Sequence, residues 1–207
     1  MTRSTEVYRP SEDTFLLIDS ISEYASRGLA LALDVGCGSG AVTESLLEIS
    51  DEVIAVDVSL PALEATREKV RSRAERVHLI ASEGVAFLRE GTPIELIACN
   101  PPYLPIEQDE EYDPAVHGGP TGVEFSKALL SSLADRLKGR AWTLFLIASS
   151  LSDLGSLVLH AERLGLEVSF AAHRRLFFEE IYCLRVSGHG SSGEAQQRTF
   201  FTDGGDG

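Results

Sequence analysis

LALALDVGCGSGA, residues 29–41, decides the fold of this chain. Its first part, residues 29–35, is apolar apart from Asp34, which is typical of a strand that is buried on both faces of a sheet. Its second part, residues 36–40, contains three glycines, which let the backbone turn sharply before a helix begins. The stretch therefore predicts a strand, a tight turn (the glycine loop, residues 36–40) and a helix in direct succession.

Strand and helix patterns alternate along the rest of the chain. Strands are predicted at residues 29–35, 53–56, 77–81, 94–99, 141–148, 166–172 and 181–186. Helices are predicted at about 11–26, from the glycine loop to about 49, and at 61–73, 123–137 and 152–164. This order predicts an α/β fold with a mostly parallel sheet and helices on both faces. The segment 173–180 is too short for a helical crossover, so the last two strands should form an antiparallel hairpin at one sheet edge.

Size and charge set limits on function. The 207 residues fit one domain over about 1–187, followed by a tail at 188–207 that is predicted to be flexible. The net charge of −14 counts against a phosphate-backbone partner and favours a cationic ligand, a basic protein or solubility alone. No apolar run is long enough for a membrane span and no signal-peptide pattern is present, so a cytoplasmic location is expected. The thiols Cys37, Cys99 and Cys183 are predicted to be buried, and no metal site is expected.

An acidic residue, Asp57, ends the second predicted strand, about 20 residues after the glycine loop. A carboxylate there can accept two hydrogen bonds from a ribose diol. An adenosine-type cofactor should therefore lie across the carboxyl ends of the first two strands. S-adenosylmethionine is favoured, and NAD stays open because Gly36, Gly38 and Ala41 also fit the dinucleotide pattern.

A second motif, Asn100-Pro101-Pro102-Tyr103 (the NPPY tetrapeptide), directly follows the fourth predicted strand, at the sheet edge where ligands bind. Its prolines fix the backbone and remove two N–H donors. The Asn100 side-chain oxygen and a backbone carbonyl can then both point at one NH₂ group. Tyr103 offers a flat face on which a planar group can stack.

This arrangement suits methylation of an amide or exocyclic amino nitrogen, whose lone pair is delocalised and poorly nucleophilic. Two acceptors on its hydrogens orient the nitrogen and stabilise the positive charge that develops during attack on the methyl group. The proton can leave afterwards, so no strong base is required. We therefore predict Asn100, Pro101 and Tyr103 as catalytic residues of an S-adenosylmethionine-dependent N-methyltransferase.

Taken together, these motifs resemble the HemK-type protein-glutamine N5-methyltransferases, and most of all their archaeal and eukaryotic release-factor branch. The resemblance covers about residues 7–186. It rests on VYRPSEDTF at 7–15, DVGCGSG at 34–40 with Asp57, the NPPY tetrapeptide, and GGPTG at 118–122.

The resemblance implies a Rossmann-like class I methyltransferase with a seven-stranded sheet. It implies methylation of the glutamine in the Gly-Gly-Gln motif of a class I translation release factor, with S-adenosyl-L-homocysteine as the other product. It also implies a small zinc-binding activator subunit, which forms a heterodimer by pairing with a sheet edge. Asn100 and Tyr103 would contact the glutamine. The predicted cofactor contacts are Thr14, Asp34, Gly36, Cys37, Gly38, Asp57, Val58, Ser82, Glu83 and Asn100.

This chain departs from the family pattern in two places. The family usually has an aspartate near the adenine after the third strand, where this chain has Ala81-Ser82-Glu83-Gly84, so Glu83 or Ser82 takes that place. No separate N-terminal substrate-binding domain like that of the bacterial relatives is expected, which fits dependence on an activator subunit.

Three other functions stay open. An N6-adenine or other nucleic-acid amino-methyltransferase would use the same pocket on a flipped base, although the charge of −14 argues against stable nucleic-acid binding. A catalytically silent subunit that binds cofactor would leave Asn100 and Tyr103 without a role. A nicotinamide oxidoreductase would leave the NPPY tetrapeptide unexplained.

Several other side chains are open to two interpretations each. Glu12 and Asp13 fit either a favourable charge at a helix N-terminus or a negative lid near the cationic sulfonium. His117 and the acidic run 107–113 are expected to be solvated, with contact to the substrate as the alternative. The phenylalanine pair at 177–178 is expected to pack in the core or on a neighbouring element.

Overall fold

A computed structural model of the 207-residue chain describes residues 9–25, 28–106, 113 and 115–190. Its helices are α1 (Glu12–Tyr24), α2 (Ala41–Leu46), α3 (Leu60–Lys69), α4 (Glu124–Arg136) and α5 (Leu154–Arg163), with a 3₁₀ segment at Arg71–Arg76. Its strands are β1 (Leu29–Val35), β2 (Ser50–Asp57), β3 (Val77–Ala81), β4 (Leu96–Cys99), β5 (Leu104–Pro105), β6 (His117–Gly119), β7 (Trp142–Ser149), β8 (Glu167–Arg175) and β9 (Glu180–Gly188).

Seven of the described strands form one sheet in the order β3-β2-β1-β4-β7-β9-β8. All pairs from β3 across to β7 are parallel, whereas β9 runs antiparallel to both β7 and β8. The prediction of a Rossmann-like, mostly parallel sheet with a C-terminal antiparallel hairpin is confirmed. Because β9 inserts beside β7, the two edges of the sheet are β3 and β8.

The central strands bury both of their faces. Leu33 and Val35 of β1 lie in a core shared with α4 and α5, whereas Ala32 lies in a core shared with α1 and α2. A strand that packs against helices on both sides has no solvated face, which explains why residues 29–33 are all apolar. Helices on both faces of the sheet are therefore confirmed as well.

The three cysteines, Cys37, Cys99 and Cys183, are buried free thiols, as predicted. None of the helices in the described part of the chain is long and apolar enough to cross a membrane. Of the predicted flexible tail, Gly188 is the last residue of β9, and residues 191–207 lie outside the described residues. The acidic residues at 107–112 also lie outside them.

The loop after β4 contains a short strand pair that the sequence did not predict. Leu104 of β5 lies opposite His117 of β6, and the two strands are parallel. The Leu104 N–H donates to the Val116 carbonyl at 3.0 Å. This pairing brings the segment 118–122 back against the NPPY tetrapeptide.

The phenylalanine pair at 177–178 does not pack in the core, so that prediction was wrong. Phe177 is 92% exposed and Phe178 86%, and their rings meet edge to face with centroids 4.7 Å apart. Both residues occupy the centre of the β8–β9 turn, which is closed by a 2.8 Å hydrogen bond from the Leu176 N–H to the Glu179 carbonyl. Side chains at the central positions of a tight turn point away from the strands that it joins, which explains their exposure.

Candidate active site

The parallel strands end along one edge of the sheet, and the predicted site residues follow them there. The glycine loop follows β1, Asp57 ends β2, Ser82 follows β3 and Asn100 follows β4. This is the edge at which open α/β sheets bind ligands. The structure thus brings the glycine loop and the NPPY tetrapeptide together, although about 60 residues separate them in the sequence.

The glycine loop turns because its backbone adopts conformations that other residues rarely take. Gly40 has φ of +80°, and a Cβ added there would lie 2.8 Å from the Thr66 Cα, so the position requires glycine. Gly36 has φ of +77°, and a Cβ added there would meet only the Asn100 carbonyl oxygen, at 4.0 Å. The open face of the glycine loop therefore adjoins the start of the NPPY tetrapeptide.

Asp57 holds the glycine loop and the next turn in place. Its Oδ2 accepts the Gly38 N–H at 3.0 Å, and its Oδ1 accepts the Ser59 N–H at 2.8 Å. A carboxylate oxygen has two acceptor sites, so each oxygen can accept one further hydrogen bond. The geometry is compatible with the predicted contact to a ribose diol.

Two other predicted cofactor residues are turned toward the protein interior. Asp34 is 1% exposed and accepts the Thr43 hydroxyl of α2 at 2.5 Å. The Cys37 side chain packs with Ala55 and Leu63 beneath the glycine loop, and burial raises the pKa of its thiol to about 12. Cys37 therefore stays protonated, and only its backbone could face a ligand.

The remaining residues of the predicted cofactor set lie at the ends of β2 and β3. Val58 is 67% exposed, directly after Asp57. Ser82 is half-buried, and its N–H donates to the Asp57 carbonyl at 3.1 Å, whereas Glu83 is exposed. Ser82 is thus tied to the end of β2, while Glu83 extends into solvent beside it.

The NPPY tetrapeptide is tied to the start of α1 through Asp13. The Asn100 Nδ2 donates to Asp13 Oδ2 at 3.0 Å, and the Tyr103 hydroxyl donates to the same oxygen at 3.3 Å. Thr14, a predicted cofactor contact, is buried next to Asp13 and also donates to it. The sequence left Asp13 open between a helix-terminal charge and a lid near the sulfonium, and it did not predict the contacts with Asn100 and Tyr103, which span 87 and 90 positions.

The other end of the Asn100 amide has no such partner. Its Oδ1 is buried and makes no hydrogen bond to the described residues. Leaving a buried acceptor unpaired costs free energy, commonly about 1–3 kcal/mol, so such an atom calls for an explanation. An N–H group of a bound molecule would satisfy it.

The segment 118–122 packs closely against the backbone of the NPPY tetrapeptide. A Cβ added to Gly118 would lie 2.5 Å from the Pro102 carbonyl oxygen, and one added to Gly122 would lie 2.4 Å from the Tyr103 carbonyl oxygen. Only residues without a side chain allow the two backbones to approach so closely. The structure therefore explains why this segment is rich in glycine.

His117 is buried, at 4% exposure, so the expectation of a solvated loop side chain was wrong. Its Nδ1 accepts the backbone N–H of Asp113 at 2.9 Å, and the residue lies in β6. The imidazole packs inside the loop because the β5–β6 pairing turns it inward. His117 thus shapes the loop that carries the NPPY tetrapeptide.

A family model described as the methyltransferase small domain matches residues 11–116, more than half of the 207-residue chain. The match includes α1, the glycine loop, Asp57 and the NPPY tetrapeptide. This chain belongs to that methyltransferase family. The site at the strand ends is accordingly the candidate active site of a methyltransferase.

Relatives of this methyltransferase act on translation factors. The eRF1 methyltransferase catalytic subunit mtq2 of Schizosaccharomyces pombe is 27% identical over 206 residues, covering 87% of this chain and 89% of its own length. The release factor glutamine methyltransferase of Koribacter versatilis is 30% identical over 162 residues, covering 72% of this chain and 58% of its own length. The resemblance inferred from the sequence, to glutamine N5-methyltransferases, is confirmed.

A solved structure supports the fold independently. The E. cuniculi chain in "Structure of E. cuniculi Mtq2-Trm112 complex", whose title describes methylation of the eRF1 termination factor, superposes with a TM-score of 0.71. The alignment is 22% identical and covers 87% of this methyltransferase and 97% of that chain. At this identity the similarity establishes a common fold.

Proposed function

We propose that this methyltransferase transfers a methyl group from S-adenosylmethionine to the side-chain amide nitrogen of the glutamine in a Gly-Gly-Gln motif of a class I translation release factor. The observation that carries the proposal is the buried Oδ1 of Asn100, which makes no hydrogen bond to the described residues. The backbone carbonyl of the same residue lies next to Gly36 of the glycine loop. The names of the fission yeast and Koribacter relatives support a release factor as substrate, and the latter supports glutamine as the acceptor.

The residues at the strand ends fit the proposed cofactor. Asp57 has acceptor sites left for the ribose hydroxyls, and the exposed Val58 offers an apolar surface to the adenine. The side chains of Asp13 and Asp57 place acidic groups around a site that would hold a cationic sulfonium. When bound, the cofactor supplies an electrophilic methyl group.

The chain's own part in the reaction is to hold and orient the amide. Asn100 Oδ1 accepts one N–H of the glutamine, a backbone carbonyl of the NPPY tetrapeptide accepts the other, and the Tyr103 ring flanks the amide plane. These acceptors stabilise the positive charge that develops on the nitrogen while its lone pair forms the bond to carbon. The nitrogen then loses a proton to water, so the site needs no basic side chain.

Charge favours a protein substrate over a nucleic acid. The chain has 32 acidic and 18 basic residues, which gives a net charge of −14. A protein that binds a phosphate backbone gains affinity from lysine and arginine clusters, and this balance opposes such binding. A basic protein surface would instead be attracted over distances of about a Debye length, roughly 8–10 Å.

The proposed function also involves a second protein, an activator subunit. We propose that a small zinc-binding protein forms a heterodimer with this methyltransferase by pairing with a sheet edge, β3 or β8. Edge strands present backbone N–H and C=O groups that another chain can pair with. The E. cuniculi neighbour was solved as a complex with Trm112, which supports an interaction of this kind.

Methyl transfer from labelled S-adenosylmethionine to a purified release factor tests the function. The release factor is compared with a copy in which the Gly-Gly-Gln glutamine is replaced, with and without the candidate activator. We expect label on the intact factor only, and we expect Asn100→Ala to lose at least about 100-fold in turnover while it remains folded. Label on DNA or RNA, with none on the factor, would instead assign the enzyme to nucleic-acid amino groups.

A further inference from the structure

Asp13 is a buried acidic residue whose position in the helix does not by itself explain its burial. It lies in the first turn of α1, where exposed carboxylates are common, yet it is only 4% exposed. Its two oxygens face different partners. Oδ1 accepts the Thr14 backbone N–H at 2.6 Å, whereas Oδ2 accepts from Asn100 and Tyr103.

This division of partners determines which way the Asn100 amide is turned. The two ends of an asparagine amide are nearly the same size, but one only donates and the other only accepts. A carboxylate only accepts, so it selects the Nδ2 end of Asn100 and repels the Oδ1 end. The Oδ1 end is then the one that remains unpaired, as the structure shows for the described residues.

We propose that Asp13 is a positioning residue that fixes the Asn100 amide in the orientation required for catalysis, with Oδ1 available to the substrate N–H. The inference rests on the proposed function, because an acceptor is needed there only if the substrate presents an amide or amino group. The same carboxylate orients the Tyr103 ring through its hydroxyl. The hydrogen bond from Nδ2 to the Asp13 carboxylate also polarises the Asn100 amide, and this makes Oδ1 a stronger hydrogen-bond acceptor.

The structure predicts a specific failure in Asp13→Asn. In this variant the Thr14 N–H still donates to the side-chain oxygen at position 13. The NH₂ group of the new amide at position 13 must therefore face Asn100. Two NH₂ groups cannot bond to each other, and Asn100 should turn over to present Oδ1 to position 13. Its NH₂ group would then face the substrate amide, which also donates, and we expect turnover to fall on the order of 100-fold.

Exchange of the two residue types provides the decisive test. Asn100→Asp alone places two carboxylates at the present 3.0 Å contact and should also inactivate the enzyme. Combined with Asp13→Asn, it restores one hydrogen bond in the reverse direction and leaves a carboxylate oxygen for the substrate. We expect the double variant to turn over about tenfold faster than either single variant, with cofactor affinity little changed. If the losses in turnover of the two single variants multiply in the double variant, the proposal is wrong.

A control variant and a binding measurement accompany the activity test. Asp19→Asn makes the same chemical change on the exposed side of α1, where the side chain is 65% exposed, and should leave turnover within about twofold. Thermal unfolding of every variant establishes that it is folded. Cofactor affinity separates loss of orientation from loss of the cofactor site.

A spectroscopic readout is independent of any substrate. Asn100 is the only asparagine in the 207-residue sequence, so asparagine-selective ¹⁵N labelling yields a single side-chain amide in the NMR spectrum. We expect that amide to exchange slowly with water in the wild-type chain and to shift in Asp13→Ala, which adds no second asparagine, but not in Asp19→Ala. Rapid exchange in the wild type, or an unchanged signal in Asp13→Ala, would overturn the role of Asp13. If the wild-type enzyme labels no release factor, the proposed function fails, and this measurement still decides how Asn100 is held.

Discussion

The hydroxyl of Thr43 donates a 2.5 Å hydrogen bond to the carboxyl group of Asp34, which is buried at the end of β1. Burial raises the pKa of Asp34 to about 7, and the hydrogen bond from Thr43 opposes that rise. Because Thr43 belongs to α2, this contact joins the strand before the glycine loop to the helix after it. The geometry of the glycine loop thus depends on a carboxyl group that titrates near neutral pH.

The raised pKa of Asp34 predicts that its contribution to stability falls as pH rises. Between about pH 4 and 7 the carboxyl ionises in the unfolded chain but keeps its proton in the folded one. The contribution is therefore complete below about pH 4 and is lost as pH rises through about 7, with a slope of at most about 1.4 kcal/mol per pH unit. Urea unfolding across this pH range gives the free energy of unfolding of the wild type and of Asp34→Asn. The difference between the two isolates the contribution of Asp34, because the other titrating groups contribute equally to both proteins. A difference that is independent of pH would contradict the raised pKa.

Asp57→Ala should weaken cofactor binding while the protein remains folded. The variant loses the predicted ribose contact and also releases the Gly38 N–H, so we expect the cofactor Kd to rise at least tenfold, about 1.4 kcal/mol. The free energy of unfolding should fall by about 1–2 kcal/mol, because two hydrogen bonds to a half-buried carboxylate are lost. Calorimetric titration and urea unfolding measure the two quantities. Asp51→Ala, at the exposed start of β2, is the matched control. An unchanged Kd in Asp57→Ala would place the ribose contact elsewhere.

Much of the fold could be predicted because buried parallel strands leave a clear pattern. The bounds of β1 and β3 agree with the prediction, since both are short, mostly apolar segments ended by turns. The prediction for β2 began at Val53, but the strand begins at Ser50, because the pairing of Leu29 with Ser50 extends the ladder over polar residues. Backbone pairing does not require an apolar side chain, so a pattern based on hydrophobicity stops too early.

The site could be predicted only in part, because its motifs were visible and the contacts between them were not. The glycine loop, Asp57 and the NPPY tetrapeptide are local patterns, and their common sheet edge follows from strand topology. The contact between Asp13 and Asn100 joins residues 87 positions apart, and helix-terminal carboxylates are usually explained by the helix itself. The inward turn of His117 depends on the β5–β6 pair, which is too short to produce a sequence pattern.

The exposure of Phe177 and Phe178 predicts that they contribute little to folding. Serine at both positions should change the free energy of unfolding by less than about 0.5 kcal/mol, because almost no apolar surface becomes exposed. Phe145, which is 1% exposed, provides the comparison within the same chain, and Phe145→Ala should cost about 3–5 kcal/mol. Urea unfolding measures both. A cost above about 2 kcal/mol for the serine pair would mean that the two rings are buried in the folded protein.

Gly118 offers the sharpest test of how the NPPY tetrapeptide is supported. A Cβ at this position would lie 2.5 Å from the carbonyl oxygens of both Pro102 and Gly122, and neither backbone can move without displacing Tyr103 or α4. We expect Gly118→Ala to reduce turnover at least tenfold while cofactor affinity stays within about threefold, since the glycine loop is separate from this contact. Gly155→Ala is the control, because a Cβ there meets only Asp153 Oδ1 at 3.8 Å, an ordinary contact. Equal turnover in the two variants would show that the acceptor pocket does not depend on the close approach of these backbones. A selective loss in Gly118→Ala would show that the pocket needs the position of the backbone as well as its side chains.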